Sequence, residues 1–401
     1  MESTLKVLAS GTVISPPGFL AGATESGVKS QGGLDLAVLY SKKPCVAAGV
    51  FTTNAIKSAP VLLSQKHVQG KKAQAIVVNS GCANASTGAA GLADAEEMAN
   101  MVAKNFGMSC NDVLVASTGV IGMPLPMERI RDGINKIVLT EDGGHELAQA
   151  MMTTDTFAKE IAVFVDANPE GFTIGGVAKG AGMIHPNMAT MLCFLTTDAS
   201  VKTDFLQSAL KKAVDTSFNM VTIDGDTSPS DTVVILANGL AKNEPISEHN
   251  GEVFQRALTE VCLYLAKCVA RDGEGGTKLM KVTMEGALND DEARMAARTV
   301  ASSALVKSAI HGNDPNWGRI VAAVGRSGVK VSESKLDVYL NGVCVMKHGI
   351  PVIFDKPKLS ASLASKEVFI KVELNLDRGK ATAWGCDLSE EYVTINSAYT
   401  T

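Results

Sequence analysis

Short runs of valine and isoleucine alternate with amphipathic helical patterns along all 401 residues. That alternation restricts the chain to folds in which sheets are covered by helices, an α/β or intimately mixed α+β class. Strand candidates lie at 75–79, 113–116, 161–165, 191–196, 232–237, 280–284 and 368–374. Helical spacing is clearer. Segment 204–217 puts Phe205, Leu206, Ala209, Leu210, Ala213 and Val214 on one face, and 251–269 does so with Phe254, Ala257, Leu258, Val261, Leu265 and Cys268. Segment 290–309 opens on Asp290, Asp291 and Glu292, acids that suit a helix N-terminus. Its small-residue stripe (Ala293, Ala297, Val300, Ala304) permits close packing on a sheet. No fixed-period repeat, low-complexity tract or Pro/Gly/Ser linker divides the chain.

Apolar residues make up 46% and charged residues 20% of the sequence, a globular balance. The net charge of −5 comes with no basic block, which argues against nucleic acid or an anionic membrane as the main partner. No window approaches the ~18 consecutive apolar residues of a membrane span, and no apolar signal-peptide core follows Met1. The eight cysteines are scattered without a Cys-x-x-Cys pair. Several lie in apolar runs, so reduced buried thiols and a cytoplasmic location are expected.

Standard catalytic motifs are missing. There is no Gly-x-Ser-x-Gly, His-Glu-x-x-His or dinucleotide fingerprint. The loop Gly273-Glu-Gly-Gly-Thr-Lys278 lacks the Gly-Lys-Ser/Thr order of a phosphate loop. The run Lys179-Gly-Ala-Gly-Met-Ile-His-Pro-Asn-Met-Ala-Thr190-Met-Leu is different. Its glycines relax the backbone, Pro186 stiffens the approach, and a small residue, Ala189, precedes a hydroxyl residue at the edge of an apolar strand. An ordinary loop entering a buried strand has the same look. The chemical alternative is that the Thr190 hydroxyl attacks the carbonyl of Ala189. A Thr190 freed as an N-terminus would own an α-amine with a pKa of about 7.7–8.0, suited to taking its hydroxyl proton.

The Lys-Gly…Met-Ala-Thr-Met-Leu run resembles the self-cleavage site of the ornithine acetyltransferase (glutamate N-acetyltransferase) family of arginine biosynthesis. The resemblance extends along nearly the whole chain. It implies two interlocked βαβ-rich lobes with the site between them, cut into residues 1–189 and 190–401. It implies Thr190 as nucleophile, and Thr118 and Gly119, in Ala116-Ser-Thr-Gly-Val-Ile-Gly122, as the oxyanion hole. In Thr153-Thr-Asp-Thr-Phe-Ala-Lys159 it implies Thr156 as a substrate contact. Lys179 would meet a substrate carboxylate and Glu274 an α-ammonium, while Asn396 and Thr401 of the C-terminal tail would close the pocket. The segments 79–84 and 311–319 also fit, as structural or site-shaping loops. In Asp224-Gly-Asp-Thr-Ser-Pro-Ser-Asp231, Pro229-Ser230 stands where the family usually has Thr-Asn, and no catalytic role is assigned there.

By the family's chemistry the acetyl group of N-acetyl-L-ornithine would pass to Thr190 and then to L-glutamate, with no metal or redox cofactor. Acetyl-CoA is a conceivable co-substrate. The two halves would stay associated, as a heterotetramer of two of each. Two other classes remain on the residues: an N-terminal-nucleophile amidase or aminopeptidase passing the acyl group to water, and a non-catalytic small-molecule binder.

Overall fold

The computed structural model describes residues 4–166, 171–185 and 191–398. Ala189, Thr190 and Thr401, and with them the division at 189/190, lie outside the described residues. The larger sheet contains β1 (Thr4–Val7), β2 (Phe19–Thr24), β3 (Leu36–Phe51), β4 (Lys72–Cys82), β5 (Val113–Val120), β6 (Lys159–Asp166), β7 (Phe172–Lys179) and β8 (Leu192–Thr197). The chain then crosses to the second sheet for β9 (Val221–Thr222) and returns as β10 (Thr232–Ala237). The order across the larger sheet is β1-β6-β7-β8-β10-β3-β4-β5, with β2 also paired to β3. The second sheet adds β11 (Leu279–Ala287), β12 (Asp337–Leu340), β13 (Val343–Lys347), β14 (Ile350–Pro351), β15 (Glu367–Glu373) and β16 (Gly379–Cys386), in the order β14-β13-β12-β15-β11-β16-β9.

This is a mixed α/β fold with two sheets that share segments of one chain. Parallel pairing at β4–β5 and β8–β10 is bridged by the helices Gly88–Phe106 and Thr203–Thr216, while β3 runs antiparallel to both neighbours. β8 and β10 are buried along their whole length, as parallel strands covered on both faces must be. The helix Thr203–Thr216 buries all six residues of its predicted face. The helix Glu252–Arg271 packs on β6 and β7 on one side and on β9, β11 and β16 on the other, so one apolar core serves both sheets.

Two expectations change in detail. Cys268 is only partly buried, and Cys262 takes the core position on its helix. The pattern at 290–309 is two helices, Asp290–Ala301 and Ala304–His311. Ser303 caps the second with its side chain, and Ala304 faces solvent, while Ala293, Ala297 and Val300 are buried as expected. The 16-residue β3 escapes the apolar pattern because exposed Lys42-Lys43-Pro44 interrupts it. The β3–β4 register shifts between Tyr40 and Cys45, which is how a strand accommodates a proline.

Candidate active site

Two strand ends and three loops converge where β7 hands over to β8. β4 and β5 finish side by side, Gly81 opposite Gly119. Gly119 has φ +125°, and a Cβ there would lie 2.4 Å from the Gly81 carbonyl carbon. Only glycine lets the two strands close at this point. Thr118, one residue earlier, is buried.

β7 ends at Lys179, whose side chain is 3% exposed and reaches the same place. Its Nζ donates to Thr153 Oγ1 at 2.8 Å and to Thr118 Oγ1 at 3.3 Å, and lies 3.8 Å from Asp155 Oδ2. Because an ammonium can only donate, it occupies a lone pair of Thr118 and leaves the hydroxyl proton free for another acceptor. Burial lowers the Lys179 pKa, with the Asp155 carboxylate opposing that shift.

Beneath Lys179 sits an ion cluster that the sequence reading missed. Lys159 Nζ is fully buried between Asp155 Oδ1 at 2.6 Å and Asp272 Oδ2 at 2.5 Å. Asp155 also accepts the Gly180 N–H at 2.6 Å and the Thr153 N–H at 3.0 Å. Burial works against its charged form, but the Lys179 and Lys159 ammoniums and these hydrogen bonds prevail, holding the carboxyl below the usual range. The cluster fixes the ends of β6 and β7 and the 272–276 loop relative to one another.

Glu274 is set by that loop. Its amide donates to Ala181 O at 2.8 Å, and Oε2 accepts Asn396 Nδ2 at 2.8 Å, bringing the helix Glu390–Ala398 over the site. Its carboxyl packs on Gly182, where a Cβ would lie 2.4 Å from it. Asp224 accepts the amides of Met183 and Ile184 at 2.5 and 2.9 Å, and burial raises its pKa.

One cavity of about 240 Å³ is lined by Thr118, Gly119, Lys179, Glu274 and Asn396, five of the residues predicted from sequence. Thr153 lines it as well. Thr156 does not. Its amide and hydroxyl donate to Asp272, and it faces an adjoining cavity that shares Glu274 with the first. The 224–231 segment, given no role from sequence, contributes Asp224, Asp226, Ser228 and Ser230 to the wall. Three carboxylates, Asp224, Asp226 and Glu274, thus line the cavity together with Lys179. Asp155 and Lys159 lie four apart in the sequence, but their partner Asp272 lies 113 residues from Lys159, and no local signal connects them.

The remaining candidate loops are structural. Lys278 Nζ donates to Ile310 O at 2.6 Å and to Asn313 Oδ1 at 2.5 Å, tying the glycine loop to the 311–319 turn. Asn79 accepts from Ser117 Oγ and donates to Cys82 O, and Asn84 donates to Gly91 O. Among the described residues no three His, Cys, Asp or Glu side chains gather as metal ligands, and no helix is long and apolar enough to cross a membrane.

The ArgJ family matches residues 20–401. The chain belongs to the ArgJ family. It is 54% identical over 406 residues, covering 100% of both chains, to the arginine biosynthesis bifunctional protein ArgJ of Dehalococcoides mccartyi strain CBDB1. Among solved structures it resembles the ArgJ protein of Bacillus halodurans, with 43% identity and a TM-score of 0.50 over 51% of this chain and 97% of that one. A chain of Mycobacterium tuberculosis ornithine acetyltransferase, complexed with ornithine, matches with 37% identity and a TM-score of 0.43 over 47% of this chain and 100% of that one.

Proposed function

We propose that this ArgJ-family chain is a self-processing acetyltransferase that moves the acetyl group of N-acetyl-L-ornithine to L-glutamate through an acetyl-Thr190 intermediate. The observation that carries the reading is the Lys179–Thr118–Gly119 arrangement at the mouth of the β7–β8 connection, the connection to which Thr190 belongs. A lysine that occupies Thr118's lone pair leaves an O–H and the Gly119 N–H as donors for a developing oxyanion.

In maturation the Thr190 hydroxyl attacks the Ala189 carbonyl, and the acyl group passes from nitrogen to oxygen. That shift breaks the 189–190 amide bond and frees the Thr190 amine, and water then hydrolyses the ester to the Ala189 carboxylate and the Thr190 hydroxyl. That amine takes the hydroxyl proton as Oγ attacks the acetyl carbonyl of N-acetylornithine, and it returns the proton to the departing ornithine amine. The amine of glutamate then attacks the acetyl ester, and N-acetylglutamate leaves. Glu274 and Asn396 would hold the shared α-amino-acid end, with Lys179 on the carboxylate. Thr156 would act from the adjoining cavity, and Thr401 would complete the wall. Acetyl-CoA is a second acetyl donor in this reading, and no metal or redox cofactor takes part.

The Bacillus halodurans chain, matched over 97% of its own length but 51% of this one, has the length expected of one product of such a cut. The products 1–189 and 190–401 would remain joined, since β7 and β8 are hydrogen-bonded along their length. Two such pairs would assemble in the cytoplasm as a heterotetramer. Mass spectrometry on the denatured protein tests the reading. The expected species is a fragment beginning at Thr190 that gains one acetyl group on brief exposure to N-acetylornithine. A single uncut, unacetylated chain from active protein refutes it, as does normal turnover by Thr190→Ala.

A further inference from the structure

The backbone nitrogen of Met191 is bonded to residue 190. That N–H donates to Asp231 Oδ1 at 3.0 Å, and the Met191 carbonyl accepts the Thr232 N–H at 3.1 Å. The parallel register of β8 and β10 begins one residue on, at Thr232↔Leu192. On its other side the Asp231 carbonyl accepts the Thr52 N–H at 3.0 Å. The aspartate backbone is therefore pinned between β3 and β8.

Its side chain is completely buried, and Oδ2 has no hydrogen-bond partner among the described residues. The nearby Thr52 hydroxyl donates instead to Ser228 O at 2.7 Å. The Lys179 ammonium is directed to Thr153, Thr118 and Asp155. Burial raises the carboxyl pKa well above the usual range, against the opposing effects of the Met191 amide, Lys179 and the nearby Thr52 hydroxyl. A buried carboxyl with an unmatched oxygen destabilises a fold, and such a group calls for an explanation in function. A backbone carbonyl could have taken the Met191 N–H at no such cost.

We infer that Asp231 is a positioning residue for the 190–191 junction: its carboxyl fixes the Met191 amide, the nitrogen end of the peptide bond to residue 190. The inference rests on the nucleophile reading of Thr190. A peptide unit is planar, so holding its N–H leaves residue 190 only its own two backbone torsions. Misplacing a reacting group by about 1 Å costs on the order of 10²-fold in rate. The segment given no role from sequence thereby acts on the reaction through the strand beside the nucleophile.

Three full-length variants test this, with cutting followed by mass spectrometry, acetyl transfer by kcat and KM, and folding by circular dichroism melts. Asp231→Asn keeps an acceptor for the Met191 N–H and carries no charge, and is expected to cut and turn over within about threefold of wild type. Asp231→Glu moves the carboxyl by one methylene. It is expected to slow both steps by about tenfold or more, through kcat with KM little changed. If the Glu variant does not fold, Asp231→Ser, too short to reach the amide, carries the same expectation. An Asn variant as slow as the Glu or Ser variant overturns the role, as does a Glu or Ser variant as fast as wild type. A wild-type chain that stays whole overturns the nucleophile reading itself, and the role of Asp231 with it.

Discussion

Replacing Gly119 by alanine strikes the fold and the proposed oxyanion hole through one atom. The added Cβ would lie 2.4 Å from the Gly81 carbonyl carbon and 2.7 Å from both Gly81 Cα and Cys82 N. Ordinary contact begins near 3.4 Å, so β4 and β5 must separate by about 1 Å (3.4 − 2.4) at their paired ends. These are backbone atoms in a hydrogen-bonded ladder, and no rotamer change relieves the clash. The backbone also stays at φ +125°, where a residue with a Cβ costs about 1–3 kcal/mol. Overpacking adds roughly another 1–3 kcal/mol, for a total of about 2–6 kcal/mol. A 119 N–H displaced by about 1 Å no longer meets an oxyanion, worth about 10²–10³ in kcat. Gly122→Ala is the control: it has φ +80° but nothing within 4 Å of its would-be Cβ, so it bears the backbone strain alone and its rate is expected to hold. Urea unfolding and single-turnover acetylation by N-acetylornithine measure both quantities. A Gly119→Ala protein with the wild-type urea midpoint and acetylation rate would show that the β4–β5 approach does not form the donor site.

Two further outcomes follow from the same geometry. Gly182→Ala places a Cβ 2.4 Å from the Glu274 carboxyl. Swinging that carboxylate off Asn396 should raise KM for ornithine-type substrates by about 10-fold or more, the worth of one charge-assisted hydrogen bond, and unchanged steady-state kinetics would contradict it. Asp155 is held below the ordinary carboxylate value of 3.8. Its stabilisation is therefore complete above that value and disappears as pH falls through the lowered native pKa. Asp155→Asn should flatten the decline in stability below about pH 3.8, so an unchanged acid limb in urea titrations would refute the charge-cluster account.

How much of the site was legible depended on how local its parts are. Thr118 and Gly119 lie at the end of strand β5 and Glu274 in a glycine loop, local patterns that ordinary structure shares, so it was the family resemblance that singled them out. The family resemblance added Asn396, which no periodicity would have singled out. The resemblance pointed to Thr156 in its segment, yet its hydroxyl bonds Asp272 while Thr153 and Thr154 line the cavity. Which threonine faces inward is set by an ion cluster spanning 113 residues. Asp231 was within view and carried no signal, because its importance comes from the strand it lies beside.

The amphipathic helices and the alternation with Val/Ile strands were determined by sequence alone, because burial on one face imposes a period of 3.6 or 2 on neighbouring residues. The chemistry on offer was equally a matter of residue type: a hydroxyl after a small residue, a glycine beside a threonine, a lysine ending a strand. Tertiary structure decided everything that depends on pairing across distance. It laid β7 against β8 and β8 against β10, buried Lys159 between two carboxylates, and turned Lys179 onto Thr118. Those choices minimise unpaired buried charge and unmade backbone hydrogen bonds over the whole chain, and no short window of sequence contains that sum.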